Sequence, residues 1–284
     1  MHVTSHPPVQ SQVPLALVEV PPFPAVAIKA LQIVSNEFGR MRELGDLVSA
    51  DPAFSSQILR VANSPLWGIN YEVKSILQAL LLLGLERTKG IILTVGIRGY
   101  LADAIQVPAF LGCWRHSLAC ALVAEELARA SRAEPDFAYT AGLIHDIGRL
   151  ALAVIHRVAY ADLLKNAENI PGDMLERERE QFGIDHCEAG QSLVMRWNLP
   201  RSFAEITAHH HYPPREGRFD LLEVVHLACQ MADALGFAAA HHPDAPPYVE
   251  ILAAVPEPGR HLLPTDRNEF AFRVAAIINS IELS

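Results

Sequence analysis

The stretch "AGLIHDIGRL" (141–150) sets His145 and Asp146 side by side in an otherwise apolar run. A carboxylate in such a setting demands a partner, because an unpaired buried charge is costly. Imidazole and carboxylate together can ligate a borderline divalent metal, move a proton, or satisfy each other in a core. The remaining histidines are unevenly placed. Of thirteen, none falls between residues 24 and 115, whereas eight fall between 116 and 226: His116, His145, His156, His186, His209, His210, His211 and His226. Histidine chemistry therefore belongs to the later part of the chain. His116 sits mid-helix between Trp114 and Leu118, His186 opens "DHCEAGQSLVMRW", and His209 and His210 close a helix ahead of Pro213. Separate helices of a bundle can each donate one or two ligands to a common centre. No compact HExxH spacing is present, so spacing alone does not identify a metal site. His156 and His226 read as hydrogen-bonded core residues and His211 as a loop-side residue. His2, His6, His241, His242 and His261 read as surface.

The elements that must position these side chains are helical. "AVAIKALQIVSN" and "RMRELGDLVSADPAFSSQILRVANS" repeat apolar residues at three- and four-residue intervals. Asp51 before Pro52 is an N-cap followed by proline at the first helical position. "SILQALLLLGLERTKGIILTVGIRGYLADAI" continues the pattern with a break at Gly84, and "QVPAFLG" reads as a loop. A second helical block opens at "CWRHSLACALVAEELARAS" and runs through "AYTAGLIHDIGRLALAVIH", read as one helix, to "RNEFAFRVAAIINSIEL". No stretch keeps a period of two, so the chain is all-α.

Composition narrows the function. With 50 % hydrophobic and 19 % charged residues the 284-residue chain can build a sizeable core. A net charge of −9 argues against direct nucleic-acid binding, which rests on neutralising phosphates. The start carries no signal-peptide pattern, and apolar runs such as "LLLGL" stop short of the ~20 residues that span a bilayer; a cytoplasmic location with no membrane contact is expected. Cys113 and Cys120, seven apart on a helix, would lie roughly 10 Å apart, too far for a disulfide. Cys187 and Cys229 read as reduced thiols.

"HDIGRL", preceded by "WRHSLACA" and followed by "DHCEAGQSLVMRWNLP" and "HHHYPP", resembles the HD superfamily of metal-dependent phosphohydrolases. "VPPFPAVAIKALQIVSN", "LGDLVSADPAFSSQILRVANSPLWG" and "SILQALLLLGLERTKGIIL" resemble the amino-terminal part of the HDOD domain, the HD-related output domain of bacterial signalling proteins. Catalytic HD enzymes lack that part. The resemblance spans about residues 14–236. It implies a two-lobed helical fold: a flexible arm at 1–13, an N-terminal lobe at 14–112, and an HD-like lobe at 113–284 with a Pro-rich insertion at 241–266.

The resemblance also implies a metal set. His116 matches the family's first histidine and His145–Asp146 its doublet, with His186, His209 and His210 as the additional ligands of cyclic-dinucleotide phosphodiesterases of the HD-GYP type. One or two Fe, Mn or Zn ions would be held. Cys229 stands in "VVHLACQMA" where relatives carry an aspartate, and Asp233, one turn on, is a displaced substitute. Arg149 replaces the lysine that follows the doublet and could contact a phosphate. The GYP element is reduced to "HYPP" without its glycine. The leading expectation is a regulatory signalling module that works through a protein partner, as a monomer or homo-oligomer, without efficient catalysis. The alternative is a metal-dependent phosphohydrolase acting on a nucleotide or cyclic dinucleotide, with Asp146 and Arg149 as its catalytic groups. The near-complete histidine set favours the alternative; Cys229 and the missing glycine count against it. A third role is a metal that senses redox state or holds the fold. In the N-terminal lobe, "NSPLWG" (63–68) and "LLLGLERTKG" (81–90) would either face a partner or pack against the other lobe.

Overall fold

Asp51 and Pro52 start a helix as their chemistry requires: the Asp51 carboxylate accepts from the Phe54 amide at 3.0 Å, and proline needs no amide partner at that position. The computed structural model describes residues 25–32, 37–64, 71–131, 133–167, 173–212, 219–240, 245–257 and 259–283. The arm at 1–13, most of the "NSPLWG" turn, residues 213–214, and His2, His6, His241 and His242 lie outside them. Helices α1 (Ala25–Gln32), α2 (Glu37–Ser49), α3 (Pro52–Ala62), α4 (Ile76–Leu83) and α5 (Leu85–Tyr100) come first. Then follow α6 (Pro108–Ser131), α7 (Pro135–Ile144), α8 (Ile147–Ile155), α9 (Arg157–Lys165), α10 (Met174–Phe182) and α11 (His186–Arg196). Next come α12 (Arg201–His209), α13 (Leu221–Ala232), a π turn at Asp233–Phe237, α14 (Tyr248–Ala254) and α15 (Arg267–Leu283). Among the described residues there is no strand, and the fold is all-α.

Gly84, at φ 78°, separates α4 from α5 in a backbone conformation that favours glycine. Four readings need correction. "QVPAFLG" is a loop only to Val107, because Pro108 supplies the first residue of α6. The run 135–155 is two helices broken at His145–Asp146, not one. By length and composition that run could cross a bilayer, against the expectation that no run is long enough, yet 89 % of its most apolar window is buried in the fold. The Pro-rich segment contains α14, because Tyr248, Ile251 and Leu252 are buried and need a regular backbone to present them together.

Helix α6 is the axis of the later half, packed on α7, α13 and α15. The N-terminal helices join it through α5 against α7. There Tyr139 donates to Thr94 at 3.0 Å, and Thr94 in turn donates to the Gly90 carbonyl at 2.8 Å. Arg87 of α5 pairs with Asp136 of α7 at 2.9 Å. The last turn of α15 is tied to both halves: Arg98 donates to the Glu282 carbonyl, and Arg115 clasps the Glu282 carboxylate. The four cysteines are free.

Candidate metal centre

Four helix ends and two helix interiors converge beside α6. His116 comes from the middle of α6, His145 and Asp146 from the break between α7 and α8, and His186 from the first turn of α11. His210 and His211 follow the end of α12, and Cys229 lies in α13. Each position has a local cause. Gly148 lets α8 lie on the backbone of α11, since a Cβ there would sit 1.8 Å from the His186 carbonyl oxygen. Asp185 and Glu188 form a capping box that fixes the start of α11 and so the direction of His186. His226 donates from Nδ1 to the His210 carbonyl at 2.7 Å and holds that turn in place.

The imidazoles share one orientation. His145 Nδ1 donates to the Gly142 carbonyl at 2.7 Å, and His210 Nδ1 to the Thr207 carbonyl at 3.1 Å. His116 Nδ1 faces the Phe237 carbonyl at 3.0 Å and Asp233 Oδ1 at 3.2 Å. His186 Nδ1 donates to Glu178 Oε2 at 2.6 Å. Carbonyls and carboxylates only accept, so all four Nδ1 atoms carry hydrogen and all four Nε2 atoms turn to a common interior. Metal-ligating histidines are oriented in just this manner by outer partners.

Asp146 joins the nitrogens into one group. Its Oδ1 lies 3.3 Å from His186 Nε2 and 3.4 Å from His210 Nε2. Its Oδ2 lies 3.8 Å from His116 Nε2 and 3.9 Å from His145 Nε2, and accepts from Arg149 Nε at 2.8 Å. Two buried atoms, Asp146 Oδ1 and His210 Nε2, make no hydrogen bond. His116 Nε2 and His145 Nε2 face each other at 3.3 Å, and His186 Nε2 and His211 Nε2 at 2.9 Å. The His116–His145 pair needs positive charge between its nitrogens, because both Nδ1 hydrogens are already placed, whereas His211 can bridge to His186 with a hydrogen on its own Nε2. Without a metal, protons supply it. Burial opposes charge on His186, but Glu178 and Asp146 raise its pKa to about 10. Burial opposes it on His116 too, yet Cys229 and Asp233 hold that pKa well above the ordinary value. Burial pushes the Cys229 thiol itself up to about 12, so Asp233 is the partner that is charged without a metal. Burial keeps His145 and His210 neutral, and Asp146 stays ionised despite burial because Arg149 and the imidazoles surround it. A metal–nitrogen bond of 2.0–2.1 Å at the tetrahedral angle sets nitrogen–nitrogen edges of about 3.3–3.4 Å. The neutral imidazoles, the ionised carboxylate and the orphaned atoms therefore fit a divalent cation.

Not every expected residue is here. His209 is exposed and packs on Tyr212, because successive helical residues turn by about 100° and only one of His209 and His210 can face inward. His211 stands in the place expected for His209: the chain has left the helix and turns this residue back toward His186. Arg149 does not point outward to a phosphate. It is 2 % exposed, with its guanidinium between Asp146 and, at 3.4 Å, Glu178 Oε1. Asp233 meets His116 at Nδ1, behind the ring, so it is no substitute for the missing aspartate, and Cys229 occupies the inner side. Glu178 was not singled out from the sequence. It accepts from the His186 amide at 2.8 Å and from Tyr160 at 2.8 Å. Its signal lies in the stripe Met174, Leu175, Glu178, where the glutamate sits on the buried face of α10.

The HDOD domain family model matches residues 20–213. An uncharacterized protein of Treponema pallidum is 26 % identical over 204 residues, covering 69 % of this chain and 38 % of that longer protein. An HDOD domain protein of unknown function from Geobacter sulfurreducens has a similar structure, with a TM-score of 0.68, 21 % identity, and 93 % and 92 % of the two chains covered. A Shewanella amazonensis protein provisionally described as a phosphohydrolase gives a TM-score of 0.67 at 23 % identity, over 94 % of this chain and 97 % of its own. At these identities the structural likenesses speak for the fold alone.

Proposed function

This chain belongs to the HDOD domain family, and from that premise we propose that it is a signal-transduction module whose HD-like half holds a divalent metal and whose output is contact with a protein partner. The observation that carries this reading is the position of Asp146. One of its oxygens faces His186 and His210 without a hydrogen bond, while the other is taken by Arg149. The donors for a metal are assembled, and the cation that would receive a phosphate is spent on two carboxylates inside the fold. His116, His145, Asp146, His186, His210 and His211 would hold the metal, which supplies the positive charge that the facing His116 and His145 nitrogens require. Glu178, Asp233 and the Gly142 and Thr207 carbonyls orient those ligands. The partner surface belongs to the N-terminal half. Leu77 and Leu81 lie four apart on α4 and are 48 % and 63 % exposed, with Leu82 beside them, and a grouped exposed apolar face marks an interaction site.

The test is elemental analysis of protein purified without chelator or affinity-tag metal, beside a His145→Ala/Asp146→Ala variant. Wild type is expected to carry one or two equivalents of a transition metal and the variant none. Both are expected to leave cyclic dinucleotides and nucleotide esters intact. Metal-dependent ester cleavage by wild type, lost in the variant, would replace this reading with the phosphohydrolase one, for which the assembled histidine set is the favouring observation. Metal-free, folded wild type would remove the metal from either reading.

A further inference from the structure

The donors of the cluster are not all alike. At the α6–α13 side, Cys229 Sγ lies 3.5 Å from His116 Nε2, which itself lies 3.3 Å from His145 Nε2. All three donor atoms fall within 4.8 Å of one another. With a metal–sulfur bond of 2.3 Å, a tetrahedral site has nitrogen–sulfur edges of about 3.6 Å and nitrogen–nitrogen edges of about 3.4 Å. Both observed edges agree. At the α8–α11 side the donor nitrogens of His186, His210 and His211 fall within 4.8 Å of one another and of Cys187 Sγ, and Asp146 adds an oxygen.

A plain thiol hydrogen bond is the competing account of Cys229, and it leaves something over. A Cys229 S–H donated to His116 Nε2 would satisfy one lone pair, but that account then needs an added proton between His116 Nε2 and His145 Nε2. A cation among the three satisfies every donor at once. Asp233 does not compete for this place, since it anchors His116 from the opposite ring nitrogen.

Resting on the metal-centre reading above, we propose that Cys229 is a thiolate ligand, which makes the His116–His145–Cys229 end a sulfur-containing subsite for zinc, ferrous iron or another thiophilic cation. A thiolate carries the same charge as the carboxylate expected there, so the centre keeps its charge balance. What changes is softness: sulfur selects Zn, Co or Fe over Mn and Mg, which prefer oxygen. The opposite end sets three imidazoles and the Asp146 carboxylate beside its own thiol, Cys187, so the Cys187 variant serves to assign the sulfur.

Cobalt(II) tests this without reference to any activity. The metal-free chain is titrated with cobalt(II), with bound metal counted by elemental analysis and the near-ultraviolet spectrum recorded. The expected result is bound cobalt with a sulfur-to-cobalt charge-transfer band. Cys229→Ser and Cys229→Asp lose the band, Cys229→Asp still binds cobalt, and Cys187→Ser keeps both. Cobalt bound by wild type without the band, or a band that survives both Cys229 variants, overturns the thiolate while leaving the metal centre standing. No binding of cobalt, zinc or ferrous iron by wild type overturns the metal centre and the thiolate together. Should the variants not fold, alkylation of wild type followed by peptide mapping decides: zinc is expected to protect Cys229, and equal labelling with and without zinc counts against ligation.

Discussion

The two halves of this molecule bury different things. Among the described residues, the polar side chains buried in α1–α5 and their connections are hydroxyls only: Ser64, Thr88 and Thr94. From α6 onward the interior holds His116, Glu125, His145, Asp146, Arg149, Glu178, Asp185, His186, His210 and His226. Yet one continuous apolar core runs through both halves. Burying ionisable groups costs several kcal/mol each unless they are paired and hydrogen-bonded. The second half therefore sacrifices stability that the first half keeps, and the sacrifice is concentrated around one point. Packing explains the N-terminal helices; from α6 onward a shared centre accounts for these groups apart from Glu125, at the seam with α5, and Asp185, which caps α11.

Substitutions can break this contrast, and the largest effect is expected at Gly148. A methyl group there would meet the His186 carbonyl oxygen at 1.8 Å and the Gly190 amide nitrogen at 2.6 Å, both backbone atoms that cannot rotate away. Helices α8 and α11 would have to separate, carrying Asp146 away from His186. Gly148→Ala is expected to cost more than about 4 kcal/mol, seen in denaturant unfolding, and to abolish metal uptake. A variant within about 1 kcal/mol of wild type would mean that this contact does not set the site.

Two substitutions of similar cost sharpen the contrast. Glu178→Ala strips Arg149, Tyr160 and the His186 amide and ring of a partner, a loss of about 3–5 kcal/mol for a broken buried charge network. Leu80→Ala, in the fully buried face of α4, is expected to cost about 2–5 kcal/mol. Their effects on the centre should part company. Glu178→Ala is expected to weaken zinc affinity by about 10–100-fold, as loss of an outer partner of a ligating histidine does, while Leu80→Ala leaves it unchanged. Equal effects on zinc from both would erase the distinction between the halves.

How much of this the amino-acid order reveals follows the same division. Local chemistry is legible: Asp51–Pro52 opens α3, Gly84 parts α4 from α5, and His145–Asp146 marks the centre from within an apolar run. What is not legible depends on where a helix stops or what crosses it. The order "HHH" does not say that α12 ends at His209, yet that end decides which histidines turn inward. In "MLEREREQF" the spacing from Met174 and Leu175 puts Glu178 on the inward face, but only the approach of α11 to α10 gives it His186 as a partner. Arg149 has the right type to meet a phosphate; its direction is set by Glu178, far along the chain.

The seam between the halves gives the smallest effect and a test of where the charge-bearing interior ends. Glu125 of α6 is buried beside Arg129 of the same helix, 3.8 Å from Arg87 of α5, with Asp136 beyond. Burial raises its pKa from about 4.5 to about 7, and the two arginines only moderate that rise. Below pH 4.5 the carboxyl is protonated in folded and unfolded chains alike, so the stability this proton contributes is fully present there. Between pH 4.5 and 7 the folded protein keeps a proton that the unfolded chain has released, so stability falls as pH rises. Above pH 7 the folded protein must bury the ionised form, and the contribution is gone. Glu125→Gln stays neutral throughout. It is expected to flatten the decline across that window and to exceed wild type by about 1–3 kcal/mol at pH 8, measured as unfolding free energy against pH. Parallel pH profiles for the two proteins would place Glu125 with the ordinary surface of the seam and confine the buried charges to the metal centre.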